Sequence, residues 1–332
     1  MLNRRDFLRY SAFGALYPLA GGCQQPVRWR PEAFRRKDSS RVAVLTAKGY
    51  DLPLKDIIMR GLNLCNLDVK GKRILLKPNL VEFDPKGVIN THPAVIEAAI
   101  DSFRTLGAAQ VIVAEGPGHR RDNEYLLTAS GLYDVIREHR VHYVDLNSDD
   151  VQPTPLRSSF TRLQQLYLPR HLYSSDLLVS MPKLKTHHWA GVTLSLKNMF
   201  GVVPGSVYGW PKNILHWQGI HESILDINSS LPLPQFAIVD GVVGMEGNGP
   251  LQGEAKGSGV LIFGDDLVAV DATAARVMRI DPQKIKYLAA SGEFLGNLAD
   301  DKIKQVGEPI EKVQQDFQVI DDFKELKIIS GR

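Results

Sequence analysis

The chain has 332 residues, of which 44% are hydrophobic, so it is long enough to bury a sizeable core. Its formal net charge is only +3 at pH 7, and a charge this small does not favour nucleic acid as a partner. The two cysteines, Cys23 and Cys65, are too few for a cysteine-ligated iron–sulfur cluster, which needs about four.

The chain begins with a pattern that is typical of an export signal. Arg4 and Arg5 are followed by the apolar pair Phe7 and Leu8, and residues 10–22 carry no charge. A basic start before a short apolar run is the layout of a secretory signal. The arginine pair resembles the twin-arginine signal, which the export machinery reads as an address. The apolar run is too short for a membrane span, which needs about 20 apolar residues, so we expect an exported protein, periplasmic or held on the extracytoplasmic side of a membrane.

The apolar run ends at Cys23, and this end resembles a lipoprotein processing site. In such a site the cysteine carries a lipid, whose acyl chains would tether the protein to the membrane. The alternative is a plain signal peptide that is cut nearby and leaves a soluble protein. Residues 1–23 are therefore predicted as the signal, residues 24–40 as a polar linker and residues 41–332 as the working domain.

Predicted strands and helices alternate along this domain. Apolar runs predict strands at residues 42–45, 73–77, 111–114, 143–146, 177–180, 236–239 and 259–262. Helical periodicity predicts helices at residues 54–67, 93–106, 124–139, 213–229, 267–279 and 282–290. Apolar strands separated by helices favour an α/β fold, a Rossmann-like layered domain with a mainly parallel sheet flanked by helices on both faces. Two lobes, with a break near residues 148–160, are the alternative organisation.

Polar residues follow five of the predicted strands. In open parallel sheets, ligands bind beyond the carboxyl ends of the strands. We therefore expect the side chains at these ends to meet at one edge of the sheet and to line a single cleft. The polar strand ends are at residues 77–79, 115–119, 181–188, 240–250 and 264–266.

Six motifs occur in order along the domain. They are Lys-Pro-Asn-Leu at 77–80, Thr-His-Pro at 91–93, Pro-Lys-Leu-Lys-Thr-His at 182–187, Leu-Lys-Asn-Met-Phe-Gly at 196–201, Met-Glu-Gly-Asn-Gly-Pro at 245–250 and Val-Ala-Val-Asp at 268–271. Together they resemble the domain-of-unknown-function 362 (DUF362) family. The resemblance spans roughly residues 41–300, and it implies a family but no reaction. Some members carry an added ferredoxin-like cysteine module, whose cysteines this chain lacks.

Lysines at the predicted strand ends indicate a site for an anion. Ammonium groups around a glycine-rich cleft suit a phosphate or a carboxylate, whereas the alternative is a solvated basic surface. We expect an anionic small molecule or cofactor to be bound by Lys77, Asn79, Lys185, Thr186, Lys197 and Asn198.

His187 and Lys183 are the candidate catalytic residues. A nearby lysine would lower the pKa of His187 and suit it to act as an acid/base or a metal ligand. Asp240 and Glu246 could hold a hard cation such as magnesium or calcium, or could only pair with the lysines. His216 completes this candidate set for a divalent metal, and it matches a position where the family often has histidine.

The leading hypothesis is therefore an exported enzyme that depends on a cofactor or metal and binds an anionic small molecule in a cleft lined by lysine, histidine and aspartate. No iron–sulfur cluster is expected. The alternative is a non-catalytic binding protein that is tethered outside the cytoplasm. The sequence indicates neither the substrate nor the reaction.

Overall fold

The computed structural model describes residues 30–118 and 122–328. The predicted twin-arginine signal, Cys23 and the first part of the predicted linker lie outside the described residues. The remaining linker residues contact the domain, since Phe34 packs edge-on against Phe294 with ring centroids 4.9 Å apart. No helix in the described part of the chain is both long and apolar enough to cross a membrane.

Twelve strands are found in the described ranges, ten in one large sheet and two in a separate hairpin. They are β1 (Ser40–Thr46), β2 (Arg73–Pro78), β3 (Gln110–Glu115), β4 (His142–Asp145), β5 (Val151–Pro155), β6 (Gln165–Pro169), β7 (Leu177–Met181), β8 (Lys183–His187), β9 (Gly191–Thr193), β10 (Gln235–Asn248), β11 (Gln252–Gly264) and β12 (Ile303–Gly307). The large sheet has the order β12-β1-β11-β10-β7-β2-β3-β4, and the hairpin is β5-β6.

Within this eight-strand order, neighbouring strands are parallel except where β11 pairs with β1 and β10. This confirms the mainly parallel α/β sheet. Beyond the main order, β8 follows β7 after Pro182 and pairs with the second half of β10, and β9 pairs antiparallel with β8. The carboxyl ends of β2, β3 and β7 therefore lie at the same edge as β8 and β9.

The direction of β11 differs from the sequence expectation. Because β11 is antiparallel, its end at Asp265 and Asp266 lies at the opposite edge of the sheet from the other predicted strand ends. Asp266 there caps a helix by accepting from the amides of Val268 and Ala269 at 3.0 and 3.1 Å. Residues 264–266 therefore do not belong to the expected cleft.

Twelve α-helices in the described ranges cover the two faces of the sheet. They are α1 (Leu54–Leu64), α2 (Pro93–Thr105), α3 (Asn123–Ala129), α4 (Leu132–Glu138), α5 (Arg170–Tyr173), α6 (Ser195–Asn198), α7 (Gly205–Tyr208), α8 (Asn213–Trp217), α9 (Ile220–Ser230), α10 (Leu267–Val277), α11 (Lys286–Phe294) and α12 (Ile310–Val313). Helices α1–α4 pack on one face and α5–α12 on the other, so the central strands of the sheet are buried on both sides. Such burial explains why the strands read as continuous apolar runs.

Two of the predicted helices are each divided in two. Gly131, at φ 77°, separates α3 from α4, and Gly219, at φ 102°, separates α8 from α9. A residue with a side chain rarely adopts this left-handed backbone, which glycine accepts without steric cost. The break at Gly219 turns α8 so that His216 faces the site described below.

Residues 148–160, where the two-lobe alternative places a break, do not divide the core. One hydrophobic cluster contains Val144 and Leu146 before this stretch and Leu156, Leu166 and Leu168 after it. The hairpin β5-β6 therefore packs on the same core as the large sheet, and the described residues form one domain rather than two lobes.

Candidate functional site

A cavity of about 230 Å³ opens at the carboxyl edge of the sheet, beyond β2, β3, β8 and β9 and beside α6. Helix α6 follows β9 directly, and the loop after β10 closes one side with Pro250 and Leu251. Most of the site residues expected from the sequence meet here. Those that line the cavity are Lys77, Asn79, Lys185, His187, Lys197, Asn198 and His216.

Lys77 is inside the cavity wall but is fully engaged in hydrogen bonds. Its Nζ lies 2.6 and 2.7 Å from the two carboxylate oxygens of Glu115, 3.0 Å from the Pro78 carbonyl and 3.2 Å from Asn198 Oδ1. An ammonium group has three hydrogens, so none remains for a ligand. The structure therefore places Lys77 and Asn198 in the support of the cavity wall and not as the anion ligands that we expected.

Glu115 lies at one of the predicted polar strand ends but is not among the expected site residues. Its carboxylate also accepts from the amides of Leu80 and Gly116 at 3.0 and 2.9 Å, and it is 1% exposed. The signal that could have identified it is a single carboxylate directly after the apolar run of β3, where burial requires a charged partner.

Lys185 and Lys197 are cations with no carboxylate partner in the described part of the chain. Lys185 is fully buried and its Nζ donates to the Ile89 carbonyl at 2.8 Å. Lys197 Nζ lies 4.4 Å from the centre of the Phe200 ring. Burial lowers the pKa of both groups, for Lys185 well below its ordinary value and for Lys197 to about 8, and neighbouring lysines lower them further.

Lys212 is a third cavity lysine with no carboxylate partner among the described residues, and it is not one of the site residues expected from the sequence. Its Nζ donates to the carbonyls of Gly116 and Phe200 at 2.8 and 3.0 Å, and burial lowers its pKa to about 7. Its backbone is left-handed, with φ 68°. Lysine seldom adopts this conformation, and no sequence signal announces it.

His187 has a defined protonation pattern. Its Nδ1 accepts from the amides of Trp189 and Ala190 at 3.0 and 3.2 Å, so the ring proton must be on Nε2. Burial, followed by the charge of Lys197, lowers the pKa of His187 well below its ordinary value. The ring is therefore neutral and a donor. This corrects the expected role, because a protonated Nε2 can neither accept a proton nor ligate a metal.

Two further histidines on the cavity wall have the opposite tautomer. His216 Nδ1 lies 3.1 Å from the Lys212 carbonyl, and His188 Nδ1 lies 2.8 Å from the Gly249 carbonyl. In both residues Nδ1 must donate, which leaves Nε2 with a free lone pair. Burial lowers the pKa of His216. The proton acceptor that we expected at His187 is thus available at His216 instead.

Two buried polar atoms of the cavity have no hydrogen-bond partner. They are Asn79 Oδ1 and Thr193 Oγ1. An unpaired buried acceptor costs about 1–3 kcal/mol, so a ligand with a hydrogen-bond donor would be favoured at this wall.

Lys183 and Asp240 lie outside the cavity, in a separate buried ion pair of 2.6 Å. Tyr50 accepts from Lys183 at 2.9 Å, and its ring stacks on His92 with centroids 3.7 Å apart. Asp240 also accepts from the His92 amide at 2.9 Å. Lys183 is thus committed to a structural cluster, whereas we expected it beside His187.

Thr186 and Glu246 also lie away from the cavity lining. Thr186 Oγ1 donates to the Gly247 carbonyl at 2.8 Å. Glu246 pairs with Lys256 at 3.2 Å and accepts from the Gln318 amide at 2.9 Å. The expected metal set of Asp240, Glu246 and His216 is therefore not brought together, and no group of three histidine, cysteine or acidic residues within residues 30–118 and 122–328 could hold a metal ion.

Asp271 fixes the short helix that carries Lys197. Its buried carboxylate accepts from the amides of Ser195 and Leu196 at 2.7 and 2.9 Å, and burial raises its pKa to about 7. On the other side of Lys197, Asn198 Nδ2 donates to Ser180 Oγ at 3.0 Å. Lys197 therefore projects from a segment that is anchored on both sides.

Gly201 allows the chain to pass directly over the Lys77–Glu115 pair. An added Cβ would lie 2.2 Å from Glu115 Oε1 and 2.5 Å from Lys77 Nζ. We expect Gly201→Ala to lower the free energy of unfolding by about 1–3 kcal/mol through overpacking. Gly118→Ala is the matched control, because its Cβ would meet nothing closer than 4.0 Å. Urea unfolding of the two variants measures the difference, and equal stabilities would contradict the close approach.

The chain is similar to known proteins along much of its length. It is 29% identical over 239 residues to "Thylakoid-associated protein sll1697" of Synechocystis sp. (strain ATCC 27184 / PCC 6803 / Kazusa), a match that covers 68% of each chain. The lactate racemase apoprotein from Thermoanaerobacterium thermosaccharolyticum shares 14% identity with a TM-score of 0.45, and the match covers 74% of this chain and 58% of that one.

The matched family model covers the strands and loops that form the cavity. It extends over residues 74–276, which is more than half of the chain, and it includes the expected motifs from 77–80 to 268–271. The resemblance seen in the sequence is thus confirmed. The chain belongs to the family described as "Domain of unknown function (DUF362)".

Proposed function

We propose that this protein binds an anionic small molecule in the cavity at the carboxyl edge of the sheet. Lys185, Lys197 and Lys212 would supply the positive charge, and the Nε2 hydrogen of His187 a directed donor. One observation carries the proposal: these three lysines line the cavity with no carboxylate partner in the described chain, while the nearby Glu115 is saturated by Lys77.

The energetics support an anion as the missing partner. A buried cation without a counter-charge is costly, and the lowered pKa values of the three lysines express this cost. A bound carboxylate, phosphate or sulfate would favour the charged forms. The unpaired Asn79 Oδ1 and Thr193 Oγ1 further favour a ligand that also carries hydroxyl or amino hydrogens.

The lysine environment favours an enzyme over a purely binding role. Groups with pKa values near 7 and 8, such as Lys212 and Lys197, can exchange protons near neutral pH. The free Nε2 of His216 adds a proton acceptor on the same wall. The metal ligands that were expected from the sequence, Asp240, Glu246 and His216, lie apart from one another. They therefore do not support a metal-dependent reaction. A non-catalytic binding protein is the second reading, and binding without turnover of any ligand would favour it.

We also propose that the protein acts outside the cytoplasm, in association with a membrane. The twin-arginine pattern and Cys23 support export and tethering. The name of the Synechocystis relative, which is thylakoid-associated, agrees with a location at a membrane. Fractionation of cells that express the full chain and its Cys23→Ala variant tests this, and a cytoplasmic wild-type protein would contradict it.

Calorimetric titration with sulfate tests the anion site. We expect Lys197→Met to weaken binding by about 1.5–3 kcal/mol, or about 10- to 150-fold, because a charge-assisted contact is lost. Lys185→Met is the second variant, and Lys302→Met, at an exposed position, is the matched control. Sulfate affinity that is unchanged in both Lys197→Met and Lys185→Met would overturn the proposal.

A further inference from the structure

Lys197 differs from the other cavity lysines in the freedom of its amine. Lys77 is paired with Glu115, and Lys185 and Lys212 donate to backbone carbonyls. The Nζ of Lys197 has only the face of the Phe200 ring beside it, at 4.4 Å from the ring centre, with no hydrogen bond or ion pair among the described residues. Its nitrogen is therefore the one in this group that is not committed to holding the fold.

The backbone on either side of Lys197 is rigidly held. Asp271 anchors the two residues before it, and the side chain of Asn198 bonds to Ser180 and to Lys77. A nucleophile must be held in place to react efficiently, because misplacement by about 1 Å costs about 100-fold in rate. A free amine on an anchored segment meets this requirement.

Lys197 shares the cavity with several hydrogen-bond donors. Lys185, His187, Lys212 and His216 line the same cavity. A bound carboxylate would favour the ammonium forms of Lys185 and Lys212, which keep hydrogens that their backbone partners do not use. His187 adds a hydrogen on Nε2. The cavity that Lys197 lines thus contains donors that could hold a carboxylate and a carbonyl oxygen.

We propose that Lys197 is a nucleophilic lysine that forms a Schiff base with a small carboxylate bearing a neighbouring carbonyl group. The carboxylate would bind Lys185 and Lys212, and the carbonyl oxygen would accept from His187 Nε2. This inference rests on the proposed anion site and assigns to it a chemical class of ligand and a covalent step.

The step balances without an oxidant or a reductant. The nitrogen lone pair of the neutral amine attacks the carbonyl carbon, and a C–N bond forms while the C–O π bond opens. The oxygen then leaves as water, with the two amine hydrogens, and a C=N bond remains. Burial and the charge of Lys77 lower the pKa of Lys197 to about 8, so a usable fraction of the amine is neutral near physiological pH.

Reductive trapping with glyoxylate, the smallest aldehyde carboxylate, tests the proposal. The full-length protein is incubated with limiting glyoxylate and sodium cyanoborohydride, and the modified residue is mapped by peptide mass spectrometry. We expect one reduced adduct per chain, on Lys197. Lys302→Arg, at an exposed position, should be labelled like the wild type. Lys185→Met should require more glyoxylate for the same yield.

Lys197→Arg separates this inference from the proposed anion site. Arginine does not form the imine, so the variant should lose the adduct, whatever its affinity for sulfate. If the wild type binds sulfate but glyoxylate labels other lysines and labels Lys197→Arg equally, the Schiff base is wrong and the anion site stands. If the wild type fails to bind sulfate as well, the proposed function is wrong.

Discussion

Glu115→Ala is expected to lower the free energy of unfolding by about 3–5 kcal/mol, because it leaves the ammonium of Lys77 buried without a counter-charge. Lys77 is fully buried and Glu115 is 1% exposed, so water cannot replace the lost partner. The substitution also leaves the amides of Leu80 and Gly116 without their acceptor. Urea unfolding followed by circular dichroism measures the change.

A double variant tests the cause of this loss. In the double variant Lys77→Met, Glu115→Gln, no charge remains at these two buried positions. The glutamine oxygen can still accept from the backbone amides. We expect most of the stability to return, since a buried ion pair is often replaceable by uncharged groups of similar volume. Asp134→Asn, which removes the exposed ion pair with Arg137, is the control and should change stability little. A Glu115→Ala protein as stable as this control would contradict the argument.

The fold and the place of the site could largely be predicted from the sequence. Strands buried on both faces, such as β2 and β7, read as apolar runs because helices cover the sheet on both sides. Residues after parallel strands meet at one edge, and this rule brought together Lys77 and Lys185. These predictions depend on the periodicity of apolar residues, which is a local property of the chain.

The features that the sequence did not predict depend on contacts between distant segments. An apolar run does not record the direction of its strand, so the antiparallel β11 and the remote place of Asp265 were missed. The alternation of side chains along β8 does not distinguish Lys183, which pairs with Asp240, from Lys185, which lines the cavity. The tautomer of His187 is set by the turn at Trp189, which only the folded backbone defines.

The protonation of the cavity lysines should govern anion binding. The pKa values of Lys197 and Lys212 are lowered in the free protein, so a rise in pH removes protons from these lysines. A bound anion favours the protonated forms, and its binding is therefore opposed by the rise in pH. Sulfate itself stays doubly charged, and its affinity should therefore fall as the pH rises. Between about pH 7 and pH 9 the fall should be about tenfold if only Lys197 must be charged, and about 500-fold if Lys212 must be charged too.

Proton uptake and a charge-preserving variant identify the groups behind this fall. Lys77, Lys185, His187, Lys212 and His216 also surround Lys197, but Lys77 stays paired with Glu115 and the two histidines are already neutral near pH 7. Lys197→Arg cannot lose its charge in this interval, so its sulfate affinity should fall about tenfold less than that of the wild type.

Calorimetry in buffers of different ionisation enthalpy measures the protons taken up on binding. An affinity that is independent of pH across this interval would mean that these lysines do not hold the anion. At saturating glyoxylate, where binding no longer limits the reaction, the rate of trapping should rise with pH near the pKa of Lys197, because the neutral amine is the form that attacks a carbonyl.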